Sequence, residues 1–474
     1  MRRSVEGKIK SMNIALTTLA TENLPYQKQT IENKKLYCAK HGYTFKPFDQ
    51  SLDESRPFSW SKIKAIQQVF EDYAPDWVFW IDGDACIMNF HTRLEDIIDD
   101  DFDIMFTVDT YTINCGVFLI KNNEKTKRFL DQVYSREDFI THPWWEQAAI
   151  LETINHGFTD LKIKKVPQKT FNSYAGKDVW GKLSEEIPPE LILPEGSWTS
   201  VGSNVFHQCK DRESKGFFSS GDFVLHFAGT KIAQTEQLLI DNCRTSDICM
   251  LSYATQVSSS GGDFKNYAEK IFKNNKAYAE KHGYDWRQYW GSLDESRPPA
   301  WSKILYILKA LDKGYDWVYW IDADAVIMNH EIELLKFLDD RYDFILCKDA
   351  FSWNTGSWFV KNTEEARQLL EYTYSKEEFS DAFLWEQGAF MNAAFEKGAR
   401  IKVCPQKDFN SVAKETKEFF LEGNTYECGR YKFVLSMEEY DKGVYEDGDF
   451  VLHFASLNDA GRTMLLEQYK PELF

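Results

Sequence analysis

The stretch Asp76–Asn89, DWVFWIDGDACIMN, decides how the chain is read. Its apolar and aromatic run, Trp77-Val78-Phe79-Trp80-Ile81, stops abruptly at Asp82-Gly83-Asp84. A run this short, built from aromatic and β-branched residues, reads as a strand buried on both faces. Two carboxylates at its end have just left the core, and in open α/β sheets ligands bind beyond the carboxyl ends of the strands. Acids one residue apart can share one hard cation, and such a cation can hold a diphosphate. The phrase returns as Asp316–Asn329, DWVYWIDADAVIMN, with Asp322 and Asp324 in the equivalent places. A metal-nucleotide site is therefore expected, and expected twice.

Outward from these strands the repetition continues in order. The heptapeptide SLDESRP stands at Ser51–Pro57 and again at Ser292–Pro298, followed by Trp60-Ser61-Lys62 and Trp301-Ser302-Lys303. Downstream, Asn114-Cys115-Gly116 pairs with Asn354-Thr355-Gly356, and Trp145-Glu146-Gln147 with Trp385-Glu386-Gln387. Gly221–Ala228, GDFVLHFA, recurs unchanged as Gly448–Ala455. A period this long is no solenoid; it is the duplication of a whole domain. Domains are expected over residues 11–231 and 246–474, with 232–245 as a linker in which Gln234–Asn242 has a helical pattern. Ile14–Thr18 reads as a first strand and Lys28–His41 as a helix closed by Gly42. Strands alternating with helices predict an α/β fold: in each repeat, a mostly parallel sheet flanked by helices.

Composition narrows the function. At 474 residues the chain fits two domains rather than one core. The net charge of −18, from 56 basic against 74 acidic residues, argues against nucleic acid and anionic lipid as partners. The nine cysteines form no CxxC metal pair and none stands in step between the repeats, which points to a reducing compartment. No apolar core follows the basic leader Met1–Lys8 and no membrane span is visible, so a cytoplasmic protein is expected.

Asp-Gly turns after strands are commonplace, yet Asp322-Ala323-Asp324 keeps both acids where the turn-favouring glycine is gone. His226 and His453 each end a second apolar run. Either could be a core histidine, but an imidazole joining two carboxylates completes a site that suits Mn²⁺ or Mg²⁺. His41 and His282 precede a helix-ending glycine and read as caps. Lys62 and Lys303 are surface lysines or phosphate partners; Lys231, after Gly229, could hold a diphosphate, glycine allowing close approach. Glu146-Gln147 and Glu386-Gln387 are acidic helix starts, or acid-amide pairs against sugar hydroxyls with Trp145 or Trp385 as a stacking wall. Asn114 and Asn354 serve as turn residues or as amide donors to a sugar. Thr17, where the first strand runs into its loop, joins the donor-binding candidates.

The ordered set of WSK, apolar strand with DxD, NxG, W-acid-Q and HFAG resembles the GT-A glycosyltransferases of family 34, over most of each repeat. The resemblance implies retaining transfer of a sugar from a nucleotide-diphosphate donor, a UDP-sugar being expected, to a glycan acceptor with Mn²⁺ or a similar ion. It places Asp82 near donor ribose and metal, Asp84 and His226 on the metal, Lys62 toward the nucleotide, and Gly229 and Lys231 on the diphosphate. Glu146 and Gln147 would lie near the transferred sugar. Repeat two, with Asp322, Asp324, His453, Lys303, Asn354, Glu386 and Gln387, departs once. His453-Phe454-Ala455 is followed by Ser456-Leu457-Asn458 without Gly-Lys, and Arg462 is the nearby cation. Two active sites are expected. The rivals are a second repeat that only positions the glycan, and a nucleotidyltransferase, whose Gly-rich basic loop is missing from Thr17–Tyr26.

Overall fold

The computed structural model describes residues 12–473 apart from 110–111, 157, 159, 175–197, 202–203, 208–215, 220, 229–238, 240–241, 257–263, 383, 420–424, 429–430 and 456. The chain divides into two compact units, Met1–Thr245 and Ser246–Phe474. Most of the expected linker, residues 232–245, lies outside the described residues.

In the first unit the strands are β1 (Ile14–Leu19), β2 (Thr44–Phe48), β3 (Trp77–Ile81), β4 (Ala85–Ile87), β5 (Ile104–Val108), β6 (Ile113–Lys121) and β7 (Ile163–Pro167), then β8 (Ser173–Tyr174), β9 (Trp198–Val201), β10 (Asn204–His207) and β11 (Val224–His226). The main sheet runs β2-β1-β3-β6-β5-β7. β6 alone runs against its neighbours β3 and β5; the other pairings are parallel. Every residue of β3 is buried, as the unbroken apolar run requires of a strand covered on both faces. Burying each such side chain is worth about 1.5–3 kcal/mol, so a one-residue slip of β3, which would also drag Asp82 inward, is strongly disfavoured.

The helices are α1 (Gln27–His41), α2 (Ser61–Tyr73), α3 (Leu94–Ile97), α4 (Glu124–Tyr134) and α5 (Trp145–His156). Gly42 ends α1 in the left-handed region (φ 73°), where glycine is unstrained, and its N–H bonds the carbonyl of Cys38. Helix α2 buries Ile63, Ile66, Val69 and Phe70 at helical spacing. The SLDESRP loop before it is structural. Arg56 donates to the Tyr134 carbonyl (2.6 Å) and lies over the rings of Trp60 and Tyr134, clasping the loop to α4.

Two details aim the sheet edge at a site. Between Phe106 and Thr107 the register of β5 on β6 shifts from Phe118 to Asn114, so Cys115, Gly116 and Val117 bulge without partners on β5. A second sheet, β4-β11-β8, then brings β11 back beside β4, pairing His226 with Ala85 and with Tyr174. His226, far downstream in sequence, therefore arrives next to Asp84.

The second unit repeats this. Its strands β12 (Ile248–Ala254), β13 (Asp285–Trp290), β14 (Trp317–Ile321), β15 (Ala325–Ile327), β16 (Phe344–Lys348), β17 (Trp353–Lys361), β18 (Ile401–Cys404), β19 (Ser411–Val412), β20 (Thr425–Cys428), β21 (Tyr431–Val434) and β22 (Val451–His453) form sheets β13-β12-β14-β17-β16-β18 and β15-β22-β19 and the antiparallel pair β20-β21. The same register shift falls between Leu346 and Cys347. Both units are thus α/β, each with a mostly parallel main sheet.

Candidate active site

The backbone ties Asp82 and Asp84 to the ends of the strand pairs that deliver them. The Asp82 N–H donates to the Gly116 carbonyl (2.8 Å), and the Asp84 carbonyl accepts from Phe227 (3.0 Å). On the side chain, the Trp80 indole (2.7 Å) and the Lys62 ammonium (3.3 Å) both engage Oδ1 of Asp82. His226 Nε2 lies 3.2 Å from Asp84 Oδ1. Asp82, Asp84 and His226 each offer one ligand atom, all within 4.8 Å of one another, and Asp322, Asp324 and His453 do the same. Two carboxylates and an imidazole are a donor set for Mn²⁺ or Mg²⁺.

A relay behind the histidine fixes which nitrogen faces this cluster. Asn114 Nδ2 donates to Asp109 Oδ2 (3.1 Å), which leaves Asn114 Oδ1 to accept from Asn172 Nδ2 (2.9 Å) and from the Gly116 N–H (2.8 Å). Asn172 Oδ1 must then accept from His226 Nδ1 (2.8 Å), so Nε2 is the nitrogen turned to Asp84. Gly116 clears the space: a Cβ there would stand 2.3 Å from His226 Cε1 and 3.0 Å from Asp82 Oδ2. The residues therefore fit a divalent ion in ligand type, in spacing and in the support of the histidine.

Electrostatics agree. Burial alone would lower the His226 pKa, but the charge and hydrogen bond of Asp84, with Asp82 behind it, hold it above the ordinary value. Burial pushes the Asp82 carboxyl up and Asp84 adds to this, against the pull of Lys62. Asp84 is depressed in spite of burial, through His226. An ion held at Nε2 would take the place of a proton there and would relieve the repulsion between the acids.

Lys62 is not the surface lysine that was one of its two expected readings. It is buried (4 % exposed), and its ammonium bonds Glu146 Oε1 (2.9 Å), the Cys115 carbonyl (2.8 Å) and Asp82. Burial opposes its charge, but Asp82 and Glu146 outweigh this and keep its pKa raised. Lys62 is a brace for Asp82. Glu146 is equally buried and bound to that ammonium, not open to a sugar, while Gln147 Oε1 accepts the Cys115 N–H (3.0 Å). The second unit repeats the brace: Lys303 bonds Glu386 (2.9 Å), Asp322 (3.2 Å) and the Thr355 carbonyl (3.1 Å), and Gln387 accepts the Thr355 N–H (3.1 Å). Because the backbone of Cys115 or Thr355 makes these bonds, either side chain serves. Thr17 is buried and its hydroxyl donates to the Lys46 carbonyl (2.7 Å), so it is committed to the sheet. Gly229 and Lys231 lie outside the described residues. Trp145 and Trp385 are exposed and, unusually for such side chains, have φ 40°.

The second site differs in two places. Asn354 still bonds Asp349 (2.8 Å) and Asn410 still meets His453 (2.9 Å), but the buried Asn410 Nδ2 has no partner among the described residues. And Arg462 reaches Asp324 Oδ2 at 2.9 Å.

Sequence reasoning passed over Asn172 with Asn410, Asp109 with Asp349, and Tyr26 with Tyr267. The tyrosines are buried at the start of the first helix in each unit, with their hydroxyls pushed up in pKa by burial and then by the site's acids. Asn172 and Asn410 had a usable signal in the repeated Phe-Asn-Ser, and the tyrosines in their equal distance from His41 and His282.

Sheet and site together define a GT-A-like class: an α/β sheet whose edge carries an acid-x-acid pair completed by a distant histidine. The chain belongs to the galactosyl transferase GMA12/MNN10 family, glycosyltransferase family 34, whose sequence profile matches residues 12–101, 99–237 and 244–341. It is 28 % identical over 181 residues to an uncharacterized alpha-1,2-galactosyltransferase of Schizosaccharomyces pombe, covering 30 % of this chain and 48 % of that one. With the probable alpha-1,6-mannosyltransferase MNN10 of Saccharomyces cerevisiae it shares 27 % over 243 residues, 42 % of this chain and 54 % of the relative. The chain spans about half the length of these curated relatives. Among solved structures, a glycosyltransferase involved in glycosylation of the major capsid of PBCV-1 aligns at 16 % identity and TM-score 0.35, over 48 % of this chain and 98 % of that one. The galactosyltransferase LgtC, solved with donor and acceptor sugar analogues, aligns at 13 % identity and TM-score 0.29, over 48 % and 95 %.

Proposed function

We propose that each unit is a metal-dependent, retaining glycosyltransferase site that takes a sugar from a nucleotide-diphosphate donor, a UDP-sugar, and passes it to a glycan acceptor. The observation that carries this is the recurrence of the whole cluster: two acids, the histidine, the glycine that makes room and the buried lysine brace. Asp82, Asp84 and His226 would hold the ion, as would Asp322, Asp324 and His453. When bound, the ion supplies charge to a leaving diphosphate. Lys62 and Trp80 fix Oδ1 of Asp82, so Oδ2 is the oxygen presented to ligands. The Asn172 relay holds the His226 proton on Nδ1 and keeps Nε2 available. Trp145 and Trp385, exposed beside the braced acids, offer flat faces to a sugar ring.

A second reading, in which the second unit only positions the glycan, draws on Arg462 occupying Asp324. Asp84→Ala and Asp324→Ala, made separately and assayed for each product linkage with Mn²⁺ and a panel of nucleotide-sugars, decide between them. Two catalytic sites require each change to abolish a different transfer; if Asp324→Ala leaves every linkage intact, the second unit is not catalytic. We also place the protein in a reducing compartment, the cytoplasm, supported by the buried free thiols of Cys38, Cys86, Cys115, Cys347 and Cys404. No helix among the described residues is long and apolar enough to cross a membrane.

A further inference from the structure

The second unit lacks the Gly-Lys that follows HFA in the first, yet it carries a cation in the site. Asn458 caps the helix Asp459–Tyr469 by accepting the Gly461 N–H (2.8 Å), and Arg462 emerges from that first turn. Its Nη2 lies 2.9 Å from Asp324 Oδ2, Nη1 3.6 Å from Asp459 Oδ1, and Nε 3.4 Å from the Phe454 carbonyl. The guanidinium sits 5.6 Å over the ring of Phe264, which packs at 5.5 Å on Tyr267. Both oxygens of Asp324 thereby have a partner, Oδ1 in His453 (3.2 Å) and Oδ2 in Arg462. It is also the less open of the paired ligands: its side chain is 13 % exposed against 29 % for Asp84. Beside this ion pair the Tyr267 hydroxyl is buried and has no hydrogen-bond partner among the described residues. A buried donor of that kind is costly unless a ligand completes it.

A guanidinium and a divalent ion, both cationic, compete for Asp324 Oδ2. Were an ion to take it, the freed guanidinium would be at hand for a diphosphate held by that ion. Arg is suited to phosphate oxygens, which it binds through a planar fork in two parallel bonds. We propose that Arg462 is the diphosphate-binding cation of the second unit, resting on Asp324 until a metal-nucleotide pair displaces it, with the Tyr267 hydroxyl as a second donor to the phosphate. This rests on the reading of the second unit as a nucleotide-sugar site. It makes metal and nucleotide binding there mutually reinforcing: each removes a reason for Arg462 to stay on Asp324.

The test uses the full chain with Asp82→Asn and Asp84→Asn, so that only the second unit binds. Mn²⁺ alone is titrated by electron paramagnetic resonance, and UDP at saturating Mn²⁺ by calorimetry. Arg462→Gln is expected to shift the two affinities in opposite directions: Mn²⁺ alone binds about threefold tighter with its competitor gone, and UDP about tenfold weaker without the charged donor. Arg462→Lys, which keeps the charge and loses the fork, falls between. Tyr267→Phe weakens UDP without changing Mn²⁺. If the arginine variants leave both affinities unchanged, or weaken both together as a structural residue would, Arg462 is not the diphosphate cation. If the chain with native Arg462 shows no Mn²⁺-dependent UDP binding, the catalytic reading of the second unit fails and takes this one with it.

Discussion

Gly116→Ala is the sharpest probe of the first site because it adds one carbon and nothing else. Gly116 is not in the left-handed region, so alanine meets no backbone strain there and any effect comes from volume. The new Cβ would lie 2.3 Å from His226 Cε1, with Asn114 Oδ1 and Asp82 Oδ2 each at 3.0 Å. Carbon atoms settle at about 3.5–4.0 Å, so the imidazole must retreat by more than about 1 Å. It has nowhere to go cheaply: β11 is paired on both sides, and Nδ1 is tied to Asn172 at 2.8 Å. Overpacking of this kind costs about 1–3 kcal/mol, and loss of the Asn172 bond falls within that range. The second consequence is chemical. An imidazole displaced by that much no longer shares an ion with Asp84, and Mn²⁺ affinity is expected to fall at least about tenfold, as when a ligand's support is removed. The assay is Mn²⁺ titration of the full chain with the second unit silenced by Asp322→Asn and Asp324→Asn, alongside thermal unfolding. The mirror change, Gly356→Ala, whose Cβ would stand 2.4 Å from His453 Cε1, should do the same to the second site. Wild-type Mn²⁺ affinity in Gly116→Ala would refute the assignment of His226 as a ligand.

Asn172→Ala, which removes the partner of His226 Nδ1, is expected to weaken Mn²⁺ binding about 10–100-fold, and Asn410→Ala by less, since Asn410 is only half engaged; equal losses would mean the relay does not matter. Lys34 has its pKa pushed down to about 8 by burial, below the 10.5 of the free side chain, so the unfolded chain binds more protons between those values and stability rises with pH across that window. Lys34→Asn should remove that rise, because Asn275 makes the same bond to Ala325 (3.0 Å) that Lys34 makes to Ala85 (2.9 Å) without a charge; urea denaturation across the window, showing equal slopes for both proteins, would contradict it. Trp145→Gly relieves a left-handed backbone worth about 1–2 kcal/mol, so stability should hold or rise while sugar transfer falls; unaltered transfer would show that the indole faces no substrate.

The strands were legible because their signal is local. Five consecutive buried apolar residues ending in two acids need no distant information, and their recurrence in β14 removed the ambiguity that a lone Asp-Gly turn carries. His226 was legible for the same reason, as a polar ring closing an apolar run that appears twice. The burial of Lys62 is not legible because nothing adjacent to it says that Glu146 will bury beside it; the two meet only after α2 packs against β1 and β3 and α5 against β6. Asn172 went unassigned because its role is the orientation of its amide, set by Thr107 and Asn114 from another part of the sheet. The bulge at Cys115–Val117 is likewise a product of how β5 and β6 pair, and no residue in it announces the shift.

What the duplication kept and what it let change divide along a physical line. The parts set by backbone are held in both units: the register shift, the glycine under the imidazole, the carbonyl that receives the lysine and the pairing that returns the histidine. A displacement in any of them would misplace several groups at once, so none can drift singly. The parts set by one side chain have diverged. Thr107, which accepts from Asn172, has Cys347 in its place, leaving Asn410 with an unused donor. Burial opposes ionisation of Asp324, yet Arg462 and His453 hold its carboxyl well below the usual range, whereas Asp84 is depressed chiefly through His226. The two sites therefore present the same ligands in the same frame at different electrostatic cost. An ion bound at the first would take the place of any proton on His226 Nε2; one bound at the second would also compete with Arg462 for Asp324. On the proposal made for Arg462, that added cost is recovered when an anion receives the arginine, so ion binding at the second unit is expected to depend more on nucleotide than ion binding at the first.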